Sequence, residues 1–222
     1  METSRITVYT CVTQSRETLR DEQNVEGADF VAFTDEPSGG GLWRKVPAYN
    51  KFRSPRRNAR IHKILSHQFI KSEYSLWIDG NVSLRVPAHR LIDEWLADCD
   101  IATFLHRTRN CTYEEANVCT QQGLDDANII SAQMQQYRSL GLAMRAGLPE
   151  TSVLLRRQTK EVEAFNNCWW SELCRYSVRD QLSFMHAVRS VGLRVRFVTP
   201  TKFENEYFSM LIRPAGIEKV GQ

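Results

Sequence analysis

The chain has 222 residues, of which 42% are hydrophobic and 25% charged, enough to bury a core of ordinary size and to exclude wholesale disorder. Its 11 glycines and seven prolines are scattered, which excludes collagen-like and low-complexity architectures. Basic residues number 29 against 26 acidic ones, so the balance is mildly basic and the position of the charge says more about partners than its sum.

In chain order, Ile6–Val12 is rich in β-branched and aromatic residues and reads as a first strand. Asp29–Thr34 repeats the pattern and runs into the turn Asp35-Glu36-Pro37, then the glycine loop Gly39–Gly41. Trp43–Val46 is a short strand stopped by Pro47. The spacing of Ile61, Ile64, Leu65 and Phe69 predicts one helix over Arg57–Lys71, with Arg60, Lys63 and His67 on its opposite, polar side. Tyr74–Ile78 has the length of a buried strand and breaks at Asp79-Gly80-Asn81. Leu91–Ala97 reads as helix, Asp100–Leu105 as strand, Ala127–Leu140 as helix and Val153–Arg156 as strand. Helices over Val162–Arg175 and Asp180–Val191 and a strand over Val195–Val198 complete the pattern. Strands alternating with helices indicate an α/β fold class, a layered domain. No internal repeat or linker marks a second domain, so residues 1–222 are expected to form one domain.

No apolar stretch approaches a bilayer span, and the N-terminus lacks a basic region followed by an apolar run. Six cysteines without a C-x-x-C pair read as reduced, mostly buried thiols, and the expected location is cytoplasmic; one or two disulfides in an extracellular setting is the alternative.

Four segments can carry chemistry. In Trp77-Ile78-Asp79-Gly80-Asn81, an apolar strand delivers a carboxylate to its carboxyl end, the edge where open α/β sheets bind ligands. Asp79 and the amide oxygen of Asn81 can point at one hard cation, while Asp-Gly-Asn equally makes an ordinary β-turn. The basic tract from Lys51 to Lys63 suits phosphates or is a solvated face, with Arg60 and Lys63 spaced to converge on a single anion. His106, following a strand, is a candidate base or metal ligand, and Glu115 a candidate carboxylate. Finally, Trp169 and Trp170 cannot both face the core from one helix, so an aromatic surface for sugar or base stacking competes with helix packing. Ser177 fits a helix N-cap with Asp180 as a loose capping-box partner. Dinucleotide, P-loop, zincin and hydrolase motifs are all missing.

The ordered set resembles a known family. It runs Arg60-x-x-Lys63 with His67, then Leu76-Trp77-Ile78-Asp79-Gly80-Asn81, then Phe104-x-His106-x-x-Arg109-x-Cys111-x-Tyr113-x-Glu115. Gly147-Leu148-Pro149, Val153-x-x-Arg156, Phe165-x-x-x-Trp169-Trp170-x-Glu172 and Ser177-x-Arg179-Asp180-Gln181-Leu182-Ser183-Phe184 follow. This is similar to a glycosyltransferase-like family first catalogued as a domain of unknown function, with plant members implicated in pollen-tube turgor and seed mucilage and many bacterial relatives. The resemblance implies a GT-A-like, Rossmann-related fold, a mixed, mainly parallel sheet flanked by helices, that uses a nucleotide-diphosphate sugar donor and a glycan or glycoconjugate acceptor. It implies Mn²⁺ or Mg²⁺ at Asp79 and Asn81, where an amide replaces the second carboxylate of the usual Asp-x-Asp. It places Thr10 and Asp35, at the ends of the first two strands, near the nucleoside, and Arg60, Lys63, Arg179 and Gln181 near the diphosphate or donor sugar. Asp180 is the first candidate catalytic carboxylate, with Glu115 second and His106 as base or third metal ligand. Trp169 and Trp170 are the acceptor-side candidates.

Two other readings accompany the transferase. One is a metal-dependent nucleotidyltransferase, which needs more clustered carboxylates than Asp79 offers. The other is a non-catalytic carbohydrate- or nucleic-acid-binding module, favoured by the Lys51–Arg60 tract and by Asn81. Peripheral membrane contact would suit the same basic tract.

Overall fold

Strands β1 (Ile6–Val12), β2 (Ala28–Thr34), β3 (Arg44–Pro47) and β4 (Tyr74–Ile78) pair in parallel and build four strands of a seven-stranded sheet. The remaining strands are β5 (Val82–Leu84), β6 (Ile101–Leu105), β7 (Pro149–Arg157), β8 (Val195–Val198) and β9 (Phe208–Met210). The sheet order is β3-β2-β1-β4-β7-β6-β8, with β7 antiparallel to both neighbours, and β5 pairs with β9 in a separate ribbon. The computed structural model describes residues 5–14, 19–38, 40–203 and 205–211. Gly39 of the glycine loop lies outside these residues, and Gly40 and Gly41 are neither helix nor strand.

Side chains alternate between the faces of the sheet, and each face has its own core. On one, Tyr9, Phe33, Trp77 and Leu154 pack under α1 (Pro55–Ile64), α2 (Ser66–Phe69), α4 (Thr112–Gln121), α5 (Ala127–Ser139), α6 (Lys160–Arg175) and α7 (Asp180–Val191). On the other, Val8, Leu76, Ile78 and Phe104 pack with α3 (Ala88–Trp95) and the β5–β9 ribbon. Tyr9 and Trp77 sit opposite each other in register and meet edge-to-face at 5.4 Å, a contact worth about 0.5–1.5 kcal/mol beyond burial.

The helix expected over Arg57–Lys71 is two helices. Ser54 caps the first by accepting from the Arg57 N–H, and Pro55 supplies a preset φ at its start. It ends because a buried cation takes its last carbonyls: Arg156, on β7, donates Nη2 to Lys63 O at 2.6 Å and Nη1 to Ile64 O at 3.1 Å. The Gln68 N–H, which would have served Ile64 O in a continuous helix, bonds Leu65 O instead. Arg156 is fully buried and is also held by Tyr9 Oη and by Asn166 Oδ1.

This arrangement corrects three expectations. Lys63 does not lie on a solvated face but is 1% exposed, because its side chain runs over the Trp77 ring of β4 to Thr151 of β7 and Asp180 of α7. Ser177 is not the cap of α7; Arg179 occupies that position, and Ser177 instead accepts from the Arg179 N–H and donates to Asp125. Thr10 is not at a strand end: it is fully buried two residues before it, on the face of Val8, away from α1.

Candidate functional site at the carboxyl edge of the sheet

Asp79 leaves β4 at the sheet's carboxyl edge and points to the face of Trp77 and Tyr9. The Val82 N–H bonds Asp79 O at 2.9 Å, so the Asp79-Gly80-Asn81 turn is real, and the side chain is still delivered to a cavity. Trp77 Nε1 donates to Asp79 Oδ1 at 2.9 Å and fixes the carboxylate. The cavity, about 180 Å³, is bounded by Cys11–Thr13 at the end of β1, Arg56 and Arg60 of α1, Trp77 and Asp79. A second cavity of about 290 Å³ adjoins it, sharing Thr13 and Pro55, and is lined by Asp35, Tyr49, Asn50 and Asn58. Asp35 accepts from the Gln14 N–H at 2.7 Å, which ties the loop after β1 to the end of β2. The first turn of α1 therefore faces both cavities, and a helix N-terminus carries partial positive charge suited to phosphate.

Behind Arg60 lies a buried ionic cluster. Asp180, at the first turn of α7, is 3% exposed and binds Lys63 Nζ at 2.6 Å and Arg60 Nη2 at 3.3 Å. Thr151 of β7 bonds both charges: its Oγ1 accepts from Lys63 and donates to Asp180 Oδ2, each at 2.9 Å. Burial alone would raise the Asp180 carboxyl, but Arg60 and Lys63 outweigh it and hold it well below the ordinary carboxylate range. Burial also lowers the Lys63 ammonium, and Asp180 opposes that. Arg60 and Lys63 thus converge on one anion as their spacing predicts, and the anion is the chain's own.

Other candidates fall elsewhere. His106 Nδ1 accepts from the Thr108 and Arg109 N–H groups, and its Nε2 is 3.0 Å from Arg109 Nη2. Burial, then Arg109, lowers its pKa, and these contacts tie the ring to the loop after β6. Glu115 is buried and pairs with Arg109 at 2.7 Å. Neither side chain lines the Asp79 cavity. Arg179 is the α7 cap residue, and Gln181 donates to Pro149 O at 2.8 Å, joining α7 to β7. Trp169 is fully buried and donates Nε1 to Asp180 O at 2.9 Å, so it supports the cluster and presents no surface to an acceptor. Trp170 is half-buried and ends a row of rings, Tyr49–Phe52–Trp170, leading from the second cavity. Asn81 donates Nδ2 to Leu211 O at 3.2 Å, which ties it to the end of β9, and it is not among the residues lining the Asp79 cavity.

Sequence reasoning missed Cys11 and Thr13, although both lie within one residue of the carboxyl end of β1. It also missed His62, which is buried, stacks on Phe33 at 4.0 Å and accepts from the Tyr49 N–H at 2.9 Å. Among the described residues no three His, Cys, Asp or Glu side chains gather as a metal site. No helix among them is long and apolar enough to cross a membrane, and the six cysteines are free.

The comparisons with known proteins agree with this architecture. Among solved structures, the apo structure of the bifunctional glycosyltransferase WbbM superposes with a TM-score of 0.52 at 10% identity, over 89% of this chain and 39% of that one. The likeness is one of fold, and the fold is of the GT-A glycosyltransferase type. A protein of Arabidopsis thaliana named probable hexosyltransferase MUCI70 is 31% identical over 156 residues, covering 65% of this chain and 27% of its own length. Another from the same plant, named alkaline ceramidase TOD1, is 27% identical over 187 residues, 78% of this chain and 40% of its own. The chain therefore spans well under half of either curated relative. Residues 13–213 match the profile of the TOD1/MUCI70 glycosyltransferase-like domain, and the chain belongs to that family.

Proposed function

We propose that the site transfers a sugar, of the hexosyl class, from a nucleotide-diphosphate donor to a glycan or glycoconjugate acceptor. The observation that carries this reading is the meeting of Asp79 and Arg60 in one cavity at the carboxyl edge, under the N-terminus of α1. The adjoining cavity at Asp35 has the volume and polar lining to take the nucleoside. Departure of the sugar builds negative charge on the diphosphate, which Arg60 and the helix terminus are placed to stabilise. Asp180 and Lys63 lie behind Arg60 rather than in the cavity, so the role expected of Asp180 as a catalytic carboxylate becomes one of holding Arg60 in place.

A divalent cation, Mn²⁺ or Mg²⁺, fits this site on the chemistry of its one carboxylate, Asp79, because such ions commonly complete their shell with substrate phosphates and water. Asp79 would hold it, Asn81 could join only by leaving Leu211 O, and the ion would neutralise the leaving diphosphate. Trp170 is the aromatic candidate on the acceptor side. Free thiols and the use of a nucleotide sugar suit a cytoplasmic setting.

The test is turnover. Purified protein is incubated with uridine-, guanosine- and adenosine-diphosphate sugars and Mn²⁺, and free nucleoside diphosphate is measured. Ceramide is incubated in parallel, and fatty-acid release is followed, because one relative bears a ceramidase name. Diphosphate release from one donor class, reduced about 100-fold in Asp79→Ala, supports transfer; fatty-acid release without it replaces the reading with amide hydrolysis.

A further inference from the structure

Thr151 occupies the centre of the ionic cluster, and its place there depends on a local irregularity of β7. Thr103 of β6 pairs with Leu154 of β7, yet the next residue, Phe104, pairs with Glu150, so Thr151, Ser152 and Val153 are additional on the β7 side. A bulge of this kind re-aims the side chains that follow it. Counting by strict alternation from Leu154, which faces α1 and α7, Thr151 falls on the far face beside Val153. With the bulge, Glu150 shares the far face with its partner Phe104, where it bonds Lys202, and Thr151 is turned towards α1 and α7. Thr103 braces the two ends of the bulge, its Oγ1 lying 3.1 Å from Glu150 O and 2.8 Å from Val153 O.

The Thr151 hydroxyl is committed on both sides. Its oxygen accepts from Lys63 Nζ, and its one proton goes to Asp180 Oδ2. Lys63 Nζ also meets Oδ2, so that oxygen is held twice and Oδ1 is left for Arg60, the member of the cluster that lines the donor cavity. Ser would supply the same hydroxyl; Val would supply the same shape without it.

We propose that Thr151 is a positioning residue for the transfer reaction: it locks the Asp180 carboxylate so that Oδ1 holds the Arg60 guanidinium at the leaving diphosphate. This rests on the transferase reading of the site, but the lock itself is measurable without turnover.

The experiment compares wild type, Thr151→Val and Thr151→Ser by two readouts. The first is the ¹⁵N–¹H signal of the buried Lys63 ammonium, assigned by its loss in Lys63→Met. It is expected to persist in wild type and Thr151→Ser and to vanish by exchange or shift in Thr151→Val. The second is steady-state kinetics with the donor that the protein turns over. Thr151→Val is expected to lower kcat at least tenfold with donor KM within about threefold of wild type, and Thr151→Ser to return kcat to within about threefold. An unmoved Lys63 signal in Thr151→Val overturns the lock. Equal kinetic losses in the Ser and Val variants, tracking their melting temperatures, reduce Thr151 to a structural residue and overturn the proposal. If wild type turns over no nucleotide sugar, the transferase reading fails, and the Lys63 signal still decides whether Thr151 locks the cluster.

Discussion

Replacing Asp180 by Asn removes one charge of a pair whose other member, Lys63, is 1% exposed and has its remaining bond to Thr151. Truncating one partner of a buried ion pair typically costs about 3–5 kcal/mol, because the survivor is left charged out of water. A domain of this size loses roughly 2–4 °C per kcal/mol, so the expected fall in melting temperature is about 6–20 °C. Lys63→Met alone is expected to cost less, since Arg60 still balances Asp180. The double variant Lys63→Met/Asp180→Asn should be more stable than Asp180→Asn alone, because its uncompensated buried ammonium is gone. The pH dependence follows from the depressed Asp180 carboxyl: the stabilisation is complete above the unfolded value of about 3.9 and is lost as pH falls below it towards the folded one. Asp180→Asn should therefore flatten the acid limb of a melting-temperature profile below about pH 4. Chemical denaturation of the four proteins checks the coupling; a loss under about 1 kcal/mol in Asp180→Asn, or strict additivity in the double variant, would show that Asp180 and Lys63 are not a coupled buried pair.

Arg156→Met should destabilise the chain by about 3 kcal/mol or more in urea unfolding, since Lys63 O and Ile64 O both lose a buried donor; a loss under about 1 kcal/mol would mean water replaces the guanidinium. Burial lowers the His62 pKa to about 4, so His62 contributes stability above pH ~6.5 that is lost as pH falls through that window. His62→Gln, which keeps an acceptor for the Tyr49 N–H, should remove up to about 3 kcal/mol of that slope between pH 6.5 and 4, and an unchanged slope in thermal melts would contradict the assignment.

Local pattern reports what local forces decide. Tyr74–Ile78 and Asp180–Val191 were legible to the residue because a five-residue apolar run and a periodic helix carry their own boundaries. Asp79 was legible because a carboxylate ending a buried strand has one edge to occupy. Lys63 misled because a cation at helical spacing ordinarily marks the wet face, and its partner Asp180 comes from the distant α7. The break after Ile64 was hidden for the same reason: its cause, Arg156, lies on β7. Thr151 gave no signal, since a bulge that flips one strand's alternation depends on the neighbouring strand. Gly147 of the shared motif is explained by packing: its φ is +99°, and a Cβ there would meet the Phe197 ring at 2.6 Å.

If Asp79 and its neighbours form a nucleotide-diphosphate site, the melting temperature must respond to uridine, guanosine or adenosine diphosphate, each measured with and without Mn²⁺. At about 100 times its dissociation constant a ligand adds roughly 2.7 kcal/mol to the folded state. For a domain of this size that is a rise of about 5–11 °C. Such a rise is expected for one nucleotide, larger with Mn²⁺ and abolished in an Asp79→Ala variant that melts within a few degrees of wild type. A flat panel on folded wild type, or an equal rise in Asp79→Ala, would contradict it.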